Sequence, residues 1–246
     1  MQTDNSGPIV IGSRDGAESA TGAPTSPSTP APTPGNTTFP RGWDWRGNKG
    51  ALSTIKDQGL CGGCYAFAVV DVIQSQFLIA RGVDTDLSEQ QVLDCSVAWP
   101  GNYGCDGGWR DYAMMYIMYY GLQQESQRPY KAATNACPSP VQGDFKIDQW
   151  SIYYGCDNFK TAVRRGPISV GVAATSWGPY ASGVYECNDQ DTVINHSVVL
   201  VGYTVEGHWI IKNCWGPTWG EEGYITINKN KDCLMCTREA IGAIVL

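Results

Sequence analysis

The stretch from Tyr65 to Ala80 contains no glycine or proline and is apolar on nearly every side. A helix with apolar residues around most of its circumference belongs in a core, because a surface helix keeps one polar face. The stretch therefore predicts a helix that is buried within a lobe. A chain of 246 residues is long enough to build such a core, as one domain or as two small lobes.

The sequence pattern changes character at about the middle of the chain. A second helical stretch, Trp109 to Tyr120, follows the first. Later segments are short, rich in β-branched and aromatic residues, and bounded by glycine: Ile168 to Ala173, Ser197 to Tyr203, His208 to Lys212 and Tyr224 to Asn228. Helices first and antiparallel strands later predict an α+β fold with two lobes, and the cleft between them is the expected place for a substrate.

Residues 1–38 differ in composition from the rest of the chain. Proline, serine, threonine and glycine are frequent there, and few large apolar residues are available to bury. Such a segment cannot offset the entropy of ordering, so we expect a disordered tail or linker. The folded domain is predicted over residues 39–246, with a helical lobe over roughly 50–150, a β lobe over roughly 151–232 and a C-terminal segment that crosses back. Asn36, in Asn36-Thr37-Thr38, is a candidate glycosylation site.

Charge and cysteine content limit the class of protein. With a net charge of −7 and no basic run, the chain lacks the clustered Lys and Arg that bind nucleic acid or anionic lipid. No stretch reaches the roughly 18 uninterrupted apolar residues of a membrane-spanning helix. Ten cysteines predict disulfides and an oxidising compartment, either outside the cell or in a lysosome-like or vacuole-like organelle. Two histidines leave little room for a His-rich metal site, and no metal or other cofactor is expected.

Cys64 has the surroundings that a nucleophilic cysteine requires. A cysteine attacks a carbonyl as a thiolate, which needs a lowered pKa and a nearby base. Cys64 lies just before the predicted buried helix, where unpaired N–H groups and the positive end of the helix dipole favour an anion. Gly62 and Gly63 precede it and let the backbone approach a substrate closely.

The base must be one of the two histidines. His196 opens an apolar strand, whereas His208 follows Gly207 in a predicted hairpin turn, so His196 is the better candidate. Asn213 lies at the end of the next strand, and the hairpin would bring it back near His196. A neutral amide at that place can hold the imidazole in one tautomer.

Three blocks of this sequence resemble the active-site blocks of papain and the lysosomal cathepsins. They are QGLCGGCYAF from Gln58 to Phe67, NHS from Asn195 to Ser197, and NCWGPTWG from Asn213 to Gly220. In this family the histidine and the asparagine follow the cysteine by roughly 130 to 150 residues. Here His196 follows Cys64 by 132 residues and Asn213 follows it by 149. Further similar stretches are WDWR from Trp43, LSEQQ from Leu87 and GCDGG from Gly104, and the resemblance covers Phe39 to about Ala240.

The resemblance implies a papain-like two-lobe fold and a role for each residue of the site. Cys64 would be the nucleophile, His196 the general base and then the general acid, and Asn213 the residue that orients the imidazole. Gln58 would donate its amide to the oxyanion, beside the backbone N–H of Cys64. Trp215 would shield the contact between His196 and Asn213 from water. The implied substrate-binding residues are Gly107, Gly108, Trp109, Arg110, Asn195, Trp215 and Arg238, and the two glycines would pair with the substrate backbone.

Three residues near the site depart from the family pattern. Gly63 stands where serine or alanine is usual, Tyr65 where tryptophan is usual, and Cys214 where serine follows the asparagine. None of these changes removes a catalytic group. Cys214 has no evident role, since a second sulfur beside the site could form a disulfide, oxidise or simply pack.

The resemblance also implies three disulfides, Cys61–Cys105, Cys95–Cys137 and Cys187–Cys233. If Cys64 is kept as a thiolate, nine cysteines remain, and an odd number requires a further free thiol or an intermolecular bond. The unassigned cysteines are Cys156, Cys214 and Cys236. Because Cys236 lies three residues after Cys233, it could replace Cys233 as the partner of Cys187.

Two arginines fall in the region that sets specificity in this family, the pocket for the second residue before the scissile bond (P2). Arg110 and Arg238 stand where relatives more often have apolar or small residues. We expect the pocket to favour an acidic or long polar side chain, because a partly desolvated guanidinium favours a carboxylate partner. The alternative is that Arg238 turns outward to solvent.

These observations predict a thiol-dependent peptidase with polypeptide substrates. No His-rich insertion of the kind that converts relatives to dipeptide removal is visible, so we expect an endopeptidase. We also expect a monomer. Expected partners are protein inhibitors of cysteine proteases or the protein's own prosegment, which either lies upstream or is replaced by other regulation. The rival from another class is a catalytically silent relative that keeps the fold as a binding or structural module. Zinc binding by the two Cys-x-x-Cys pairs is not favoured, because the pairs are far apart in sequence.

Overall fold

The structure of the protein is a computed structural model, and it describes residues 9–13, 41–48, 50–98, 101–138 and 141–246. The α-helices in these ranges are α1 (Cys64–Arg81), α2 (Glu89–Cys95), α3 (Arg110–Tyr120) and α4 (Cys156–Val163). The strands are β1 (Ile9–Ser13), β2 (Trp43–Asp44), β3 (Gln149–Tyr154), β4 (Ile168–Val172), β5 (Val184–Tyr185), β6 (His196–Tyr203), β7 (Trp209–Lys212), β8 (Tyr224–Ile227) and β9 (Glu239–Ile244). Short 3-10 turns include Gly104–Asp106 and Met235–Thr237.

Helix α1 is the predicted buried helix, and it begins at Cys64 itself. It contacts α2 and α3 as well as β4, β6 and β9, so apolar residues on nearly every side of it are buried. The helix ends where Gly82 adopts a left-handed conformation with φ 64°, which glycine reaches without steric cost. By length and mean hydropathy (1.2) α1 could also cross a membrane. Its packing inside the fold instead identifies a core helix.

The strands form one sheet in the order β1-β3-β9-β4-β6-β7-β8-β5, with β2 paired to β6. Neighbouring strands are antiparallel apart from β5 and β8, which are parallel. All eight residues of β6 are buried, because α1 covers this part of the sheet. Helices early in the chain and a mainly antiparallel sheet later confirm the predicted two-lobe α+β fold.

The hairpin of β6 and β7 positions two of the predicted site residues. Its register pairs Val199 with Lys212 and Tyr203 with Trp209, so the first residues of β6 and the last residue of β7 lie at the same end. His196 opens β6, and Asn213 directly follows β7. The hairpin therefore brings His196 and Asn213 together, as the sequence predicted.

The N-terminal tail differs from the prediction in one segment. Strand β1 pairs with β3, with Ile9 opposite Ile152 and Ile11 opposite Trp150, so the prediction of disorder over residues 1–38 is wrong for Ile9–Ser13. The run Ile9-Val10-Ile11 is β-branched and favours a strand, which the average composition of the tail conceals. The remainder of the tail, including Asn36, and the predicted domain start at residue 39 lie outside the described residues.

Four disulfides are present. Three of them, Cys61–Cys105, Cys95–Cys137 and Cys187–Cys233, are the pairs that the family resemblance implied. The fourth joins Cys156 to Cys236, so the alternative in which Cys236 replaces Cys233 is wrong. Cys64 and Cys214 remain free thiols.

Candidate active site

An open cleft of about 730 Å³ contains most of the predicted site residues. Gln58, Cys64 and His196 line it, and so do Arg110 and Arg238. The other predicted substrate-binding residues on its wall are Gly107, Gly108, Trp109, Asn195 and Trp215. The fold thus gathers residues from α1, the β6–β7 hairpin and the C-terminal segment around one space.

Cys64 occupies the partly buried start of α1. The helix has no side-chain cap, and its first carbonyl acceptor is Gly63 O, which receives the N–H groups of Ala66 (2.8 Å) and Phe67 (3.2 Å). The preceding N–H groups are thus free to face an anion. The pKa of the Cys64 thiol is raised, because burial raises it by more than the hydrogen bonds with Ser197 and with the backbone of Tyr65 lower it. The lowered pKa that the sequence predicted is therefore not found, and the resting thiol keeps its proton. Ser197 is a contributor that the sequence did not reveal.

His196 is held in one tautomer by Asn213. The ring Nε2 lies 2.8 Å from Asn213 Oδ1, which also accepts the backbone N–H of Cys214 at 2.9 Å. Because a backbone N–H can only donate, the Asn213 oxygen is the acceptor and Nε2 carries the proton. The other ring nitrogen, Nδ1, then has a free lone pair. Burial lowers the pKa of His196 to about 4, opposed by the hydrogen bond to Asn213, so the ring is a neutral proton acceptor.

A buried ion pair fixes the end of β7 beside α1. Lys212 is almost fully buried, and its Nζ lies 2.7 Å from the carboxylate of Asp71 and 2.6 Å from Ser53 Oγ. Asp71 belongs to α1, so this contact joins the hairpin to the helix that carries Cys64. The backbone N–H of Asn213 also donates to Gly223 O at 3.0 Å. Together these contacts set the position of Asn213 relative to the nucleophile.

Aromatic rings enclose the histidine. Trp215 stacks on His196 with ring centroids 4.8 Å apart and an interplanar angle of 28°. Trp177 is fully buried and meets the imidazole edge-on, at 6.2 Å and 90°. The shielding predicted for Trp215 is therefore shared with Trp177, which belongs to no recognisable motif and was not predicted.

The amide of Gln58 is also held in one orientation. Its Nε2 donates to Cys61 O at 2.7 Å, and its Oε1 accepts the thiol of Cys214 at 2.9 Å. Since a carbonyl can only accept, Nε2 is the donor, and its second hydrogen remains available. Burial raises the pKa of Cys214 well above its usual range, which keeps this sulfur a protonated donor. The sequence assigned no role to Cys214, because its partner lies 156 residues away.

Two glycines shape the wall of the cleft. Gly107 adopts φ 105°, a conformation that residues with a side chain rarely adopt. Its backbone conformation, and not a lack of space, therefore favours glycine, because no atom lies within 4 Å of a Cβ built there. At Gly108 a Cβ would lie 2.5 Å from Asn102 Oδ1. The backbone at these positions is thus exposed to the cleft without side chains, as pairing with a substrate backbone requires.

The two arginines have different surroundings. Arg110 is buried, and its guanidinium donates to Ser169 O (2.8 Å), Glu239 O (3.0 Å) and Glu239 Oε1 (3.1 Å). Arg238 is exposed and has no ion pair within the described ranges. The charge of Arg110 is thus offset by the carboxylate of Glu239, a residue that the sequence analysis did not identify. No carboxylate among the described residues pairs with Arg238.

Asn195 and Trp109 lie at the edge of the cleft. The Asn195 side chain accepts the N–H of Ala174 at 2.9 Å and donates to Thr175 Oγ1 at 2.9 Å, so it holds the neighbouring loop. The side chain of Trp109 leaves the residue 57% exposed, while its backbone N–H donates to Asn102 Oδ1 at 2.7 Å. Trp109 therefore offers an open aromatic face to a ligand.

One group of side chains has metal-ligand spacing within the described part of the chain. Ligand atoms of Cys156, Asp232 and Cys236 lie within 4.8 Å of one another. The two sulfurs are bonded to each other, so they offer no thiolates to an ion.

Comparison with known proteins agrees with this geometry. Residues 39–243 match the family described as papain family cysteine protease. The chain is 40% identical over 207 residues to digestive cysteine proteinase 1 of Homarus americanus, covering 79% of this chain and 64% of that protein. A structure of digestive procathepsin L 3 from Tenebrio molitor larval midgut matches with a TM-score of 0.76 and 35% identity, covering 86% of this chain and 72% of that one. The bromelain protease of Ananas comosus, in complex with the E64 inhibitor, matches with a TM-score of 0.74 and 34% identity, covering 84% of this chain and 100% of that one.

The match extends over most of the described chain and includes every block around the cleft. This chain belongs to the papain family of cysteine proteases. It spans 64% and 62% of the length of the first two curated relatives that it matches.

Proposed function

We propose that this protein hydrolyses peptide bonds in polypeptides as a cysteine endopeptidase. The observation that carries the proposal is that His196, oriented by the buried Asn213, lines the same cleft as Cys64 at the start of α1. A silent member of the fold would have no need for a neutral imidazole with a free lone pair beside a cysteine.

The reaction follows from the placement of these groups. The Cys64 thiol gives its proton to His196 Nδ1 while the sulfur bonds to the substrate carbonyl carbon. The oxyanion receives the free N–H of Gln58 Nε2 and the backbone N–H of Cys64. His196 then gives the proton to the leaving amine, the C–N bond breaks, and a thioester remains. Water attacks the thioester with His196 as the base, and Cys64 leaves with its proton restored.

The test uses an epoxide inhibitor of the E64 type, which occupies the bromelain relative. At mildly acidic pH under reducing conditions we expect one adduct, mapped to the Cys64 peptide by mass spectrometry, and none in Cys64→Ser. A peptide blocked at both ends should be cleaved internally by the unmodified enzyme. Absence of both the adduct and the cleavage would instead support a catalytically silent binding module.

We further propose a preference for an acidic P2 side chain. Arg238 supports it, because this arginine lines the cleft with its charge unpaired among the described residues, whereas Arg110 is offset by Glu239. Peptides that differ only in P2 Glu, Gln or Leu should show a Glu-to-Leu ratio of kcat/KM that falls about tenfold in Arg238→Ala. Arg238→Lys, the matched control, should retain most of the ratio. A strong preference of the wild type for Leu or Phe would end this part of the proposal.

The comparisons and the disulfides also support proposals about partners and location. The family includes proenzymes, as the Tenebrio molitor procathepsin shows, so a prosegment or a protein inhibitor is the partner expected in the cleft. Four disulfides are stable in an oxidising compartment, which supports a secreted or lysosome-like location.

A further inference from the structure

The Cys156–Cys236 disulfide lies next to the part of the cleft that carries Arg238. Cys156 is the first residue of α4, and Cys236 lies within the 3-10 turn Met235–Thr237. Only Thr237 separates Cys236 from Arg238. No step of the proposed hydrolysis uses this bond, and the family resemblance did not imply it.

The disulfide continues the pairing of two strands beyond the point where their hydrogen bonds stop. Strands β3 and β9 pair up to Tyr154 opposite Glu239. Cys156 lies two residues beyond this pair on one side, and Cys236 lies three residues before it on the other. The backbone of Thr237 and Arg238 is therefore anchored at both ends, by the disulfide and by the first pair of β9.

The turn before Arg238 needs such an anchor. Cys233 (φ 53°) and Leu234 (φ 62°) are consecutive non-glycine residues in the left-handed region. Such conformations are disfavoured for residues with a side chain and persist where surrounding contacts hold them. The Cys187–Cys233 disulfide holds the start of the turn, and Cys156–Cys236 holds its end.

Arg238 depends on this backbone anchor more than Arg110 does. Three hydrogen bonds to Ser169 and Glu239 fix the guanidinium of Arg110. Arg238 is exposed and has no corresponding ion pair within the described ranges. The direction in which Arg238 leaves the backbone therefore decides whether its charge reaches the cleft.

We propose that Cys156–Cys236 is a specificity-determining disulfide that positions Arg238 in the cleft. It is a positioning element and touches no reacting atom. Its consequence for substrates rests on the proposed peptidase function, whereas its effect on the turn does not. Without the disulfide, the segment 235–238 shifts, Arg238 leaves the wall of the cleft and the P2 preference weakens.

The test compares Cys156→Ser/Cys236→Ser with Cys95→Ser/Cys137→Ser, which removes a disulfide at the end of α2, away from this turn. The first variant should show at least about tenfold faster hydrogen exchange at the amides of 235–238, with exchange in β9 unchanged. Its Glu-to-Leu P2 ratio of kcat/KM should fall to the value of Arg238→Ala. The control variant should keep the wild-type value of both quantities.

The two readouts separate the two proposals. Unchanged exchange at 235–238 overturns the positioning role, whatever the activity. Faster exchange with an unchanged P2 ratio also overturns it, because the turn would then not control selectivity. If the wild type cleaves no peptide, the proposed peptidase function fails and the exchange measurement alone decides the positioning of the turn. If it cleaves peptides without an acidic P2 preference, the specificity role of the disulfide is overturned. Should the serine pair fail to fold, Cys156→Val/Cys236→Ala, which keeps the site apolar, is measured instead.

As a final check, the disulfide can be removed in the Arg238→Ala background. If the bond acts on substrates through Arg238, its removal there should leave the P2 ratio unchanged, because coupled residues are not additive. A further fall in the ratio would mean that the disulfide acts through another residue, and the proposal would be wrong.

Discussion

The residues proposed for catalysis, here the catalytic part of the cleft, and those proposed for P2 selectivity, here the specificity part, are built in opposite ways. In the catalytic part, Gln58 and His196 are buried and each is held by at least two contacts, the amide by Cys61 and Cys214 and the imidazole by Asn213 and Trp215. In the specificity part, the exposed Arg238 lines an open space and is held only through its backbone, although Arg110 is buried and paired with Glu239.

This difference follows from what each part has to do. Groups that exchange a proton or meet a developing charge must be fixed to within fractions of an ångström, which burial and paired hydrogen bonds achieve. A pocket that accepts varied side chains must stay open, so its selectivity depends on a few charges at its edge. Changes in the catalytic part should therefore alter kcat, and changes in the specificity part should alter the ranking of substrates.

The largest effect is expected from His196→Ala. Loss of the base should lower kcat by about 10³- to 10⁴-fold with the P2 ranking unchanged, since His196 is the imidazole that takes the Cys64 proton in the proposed reaction. Steady-state kinetics on one pair of P2 peptides measures both quantities. The matched control is His208→Ala, at the remote β6–β7 turn, which should retain wild-type activity. Comparable losses in both variants would contradict the assignment of the base.

The second-largest effect on kcat is expected from Gln58→Ala. Loss of one preorganised oxyanion donor should lower kcat by roughly 10²- to 10³-fold, with little change in KM, because the donor acts on the transition state. Gln190→Ala, in an exposed loop, provides the control for a simple amide deletion. A rise in KM with kcat unchanged would place Gln58 in substrate binding instead.

The catalytic part was also the more predictable from sequence, for a physical reason. Cys64, His196 and Asn213 lie at the ends of a helix and of a hairpin, and such ends are visible in local patterns of glycine and apolar residues. Trp177 and Glu239 reach the site only through tertiary packing, and no local pattern marks them. Their contribution could not be predicted without the register of the sheet.

Composition averaged over a long segment conceals local strand signals. Strand Ile9–Ser13 is an example, because proline and serine dominate the tail as a whole. The Cys156–Cys236 pair could not be assigned, since the proximity of two cysteines depends on how β3 and β9 end. Both cases concern pairing between distant segments, which sequence spacing does not encode.

The third prediction, for Glu239→Gln, sharpens the comparison at the specificity part. Loss of this carboxylate leaves the Arg110 charge unpaired, so the preference for P2 Glu over P2 Leu should increase by about tenfold. The unpaired buried guanidinium should also lower the free energy of unfolding by about 1–3 kcal/mol, measured by urea denaturation. Glu206→Gln, in the exposed hairpin turn, is the control. A weaker acidic preference would show that Glu239 does not offset Arg110.

The smallest effect is expected from Cys214→Ala. The substitution removes the donor to Gln58 Oε1, and the amide can then rotate away from its productive orientation. One neutral hydrogen bond corresponds to a modest energy, so kcat should fall by about threefold with KM unchanged. Cys214→Ser keeps a donor of similar size and should restore the wild-type value.

A double variant decides whether this effect passes through Gln58. In the Gln58→Ala background the Cys214 thiol has no amide to orient, so Cys214→Ala should have no further effect on kcat. An additive loss would mean that Cys214 acts on Asn213 or on the core instead. If the thiol does act through Gln58, the catalytic part of the cleft relies on a contact between segments 156 residues apart, formed where the loop after β7 meets the loop before α1.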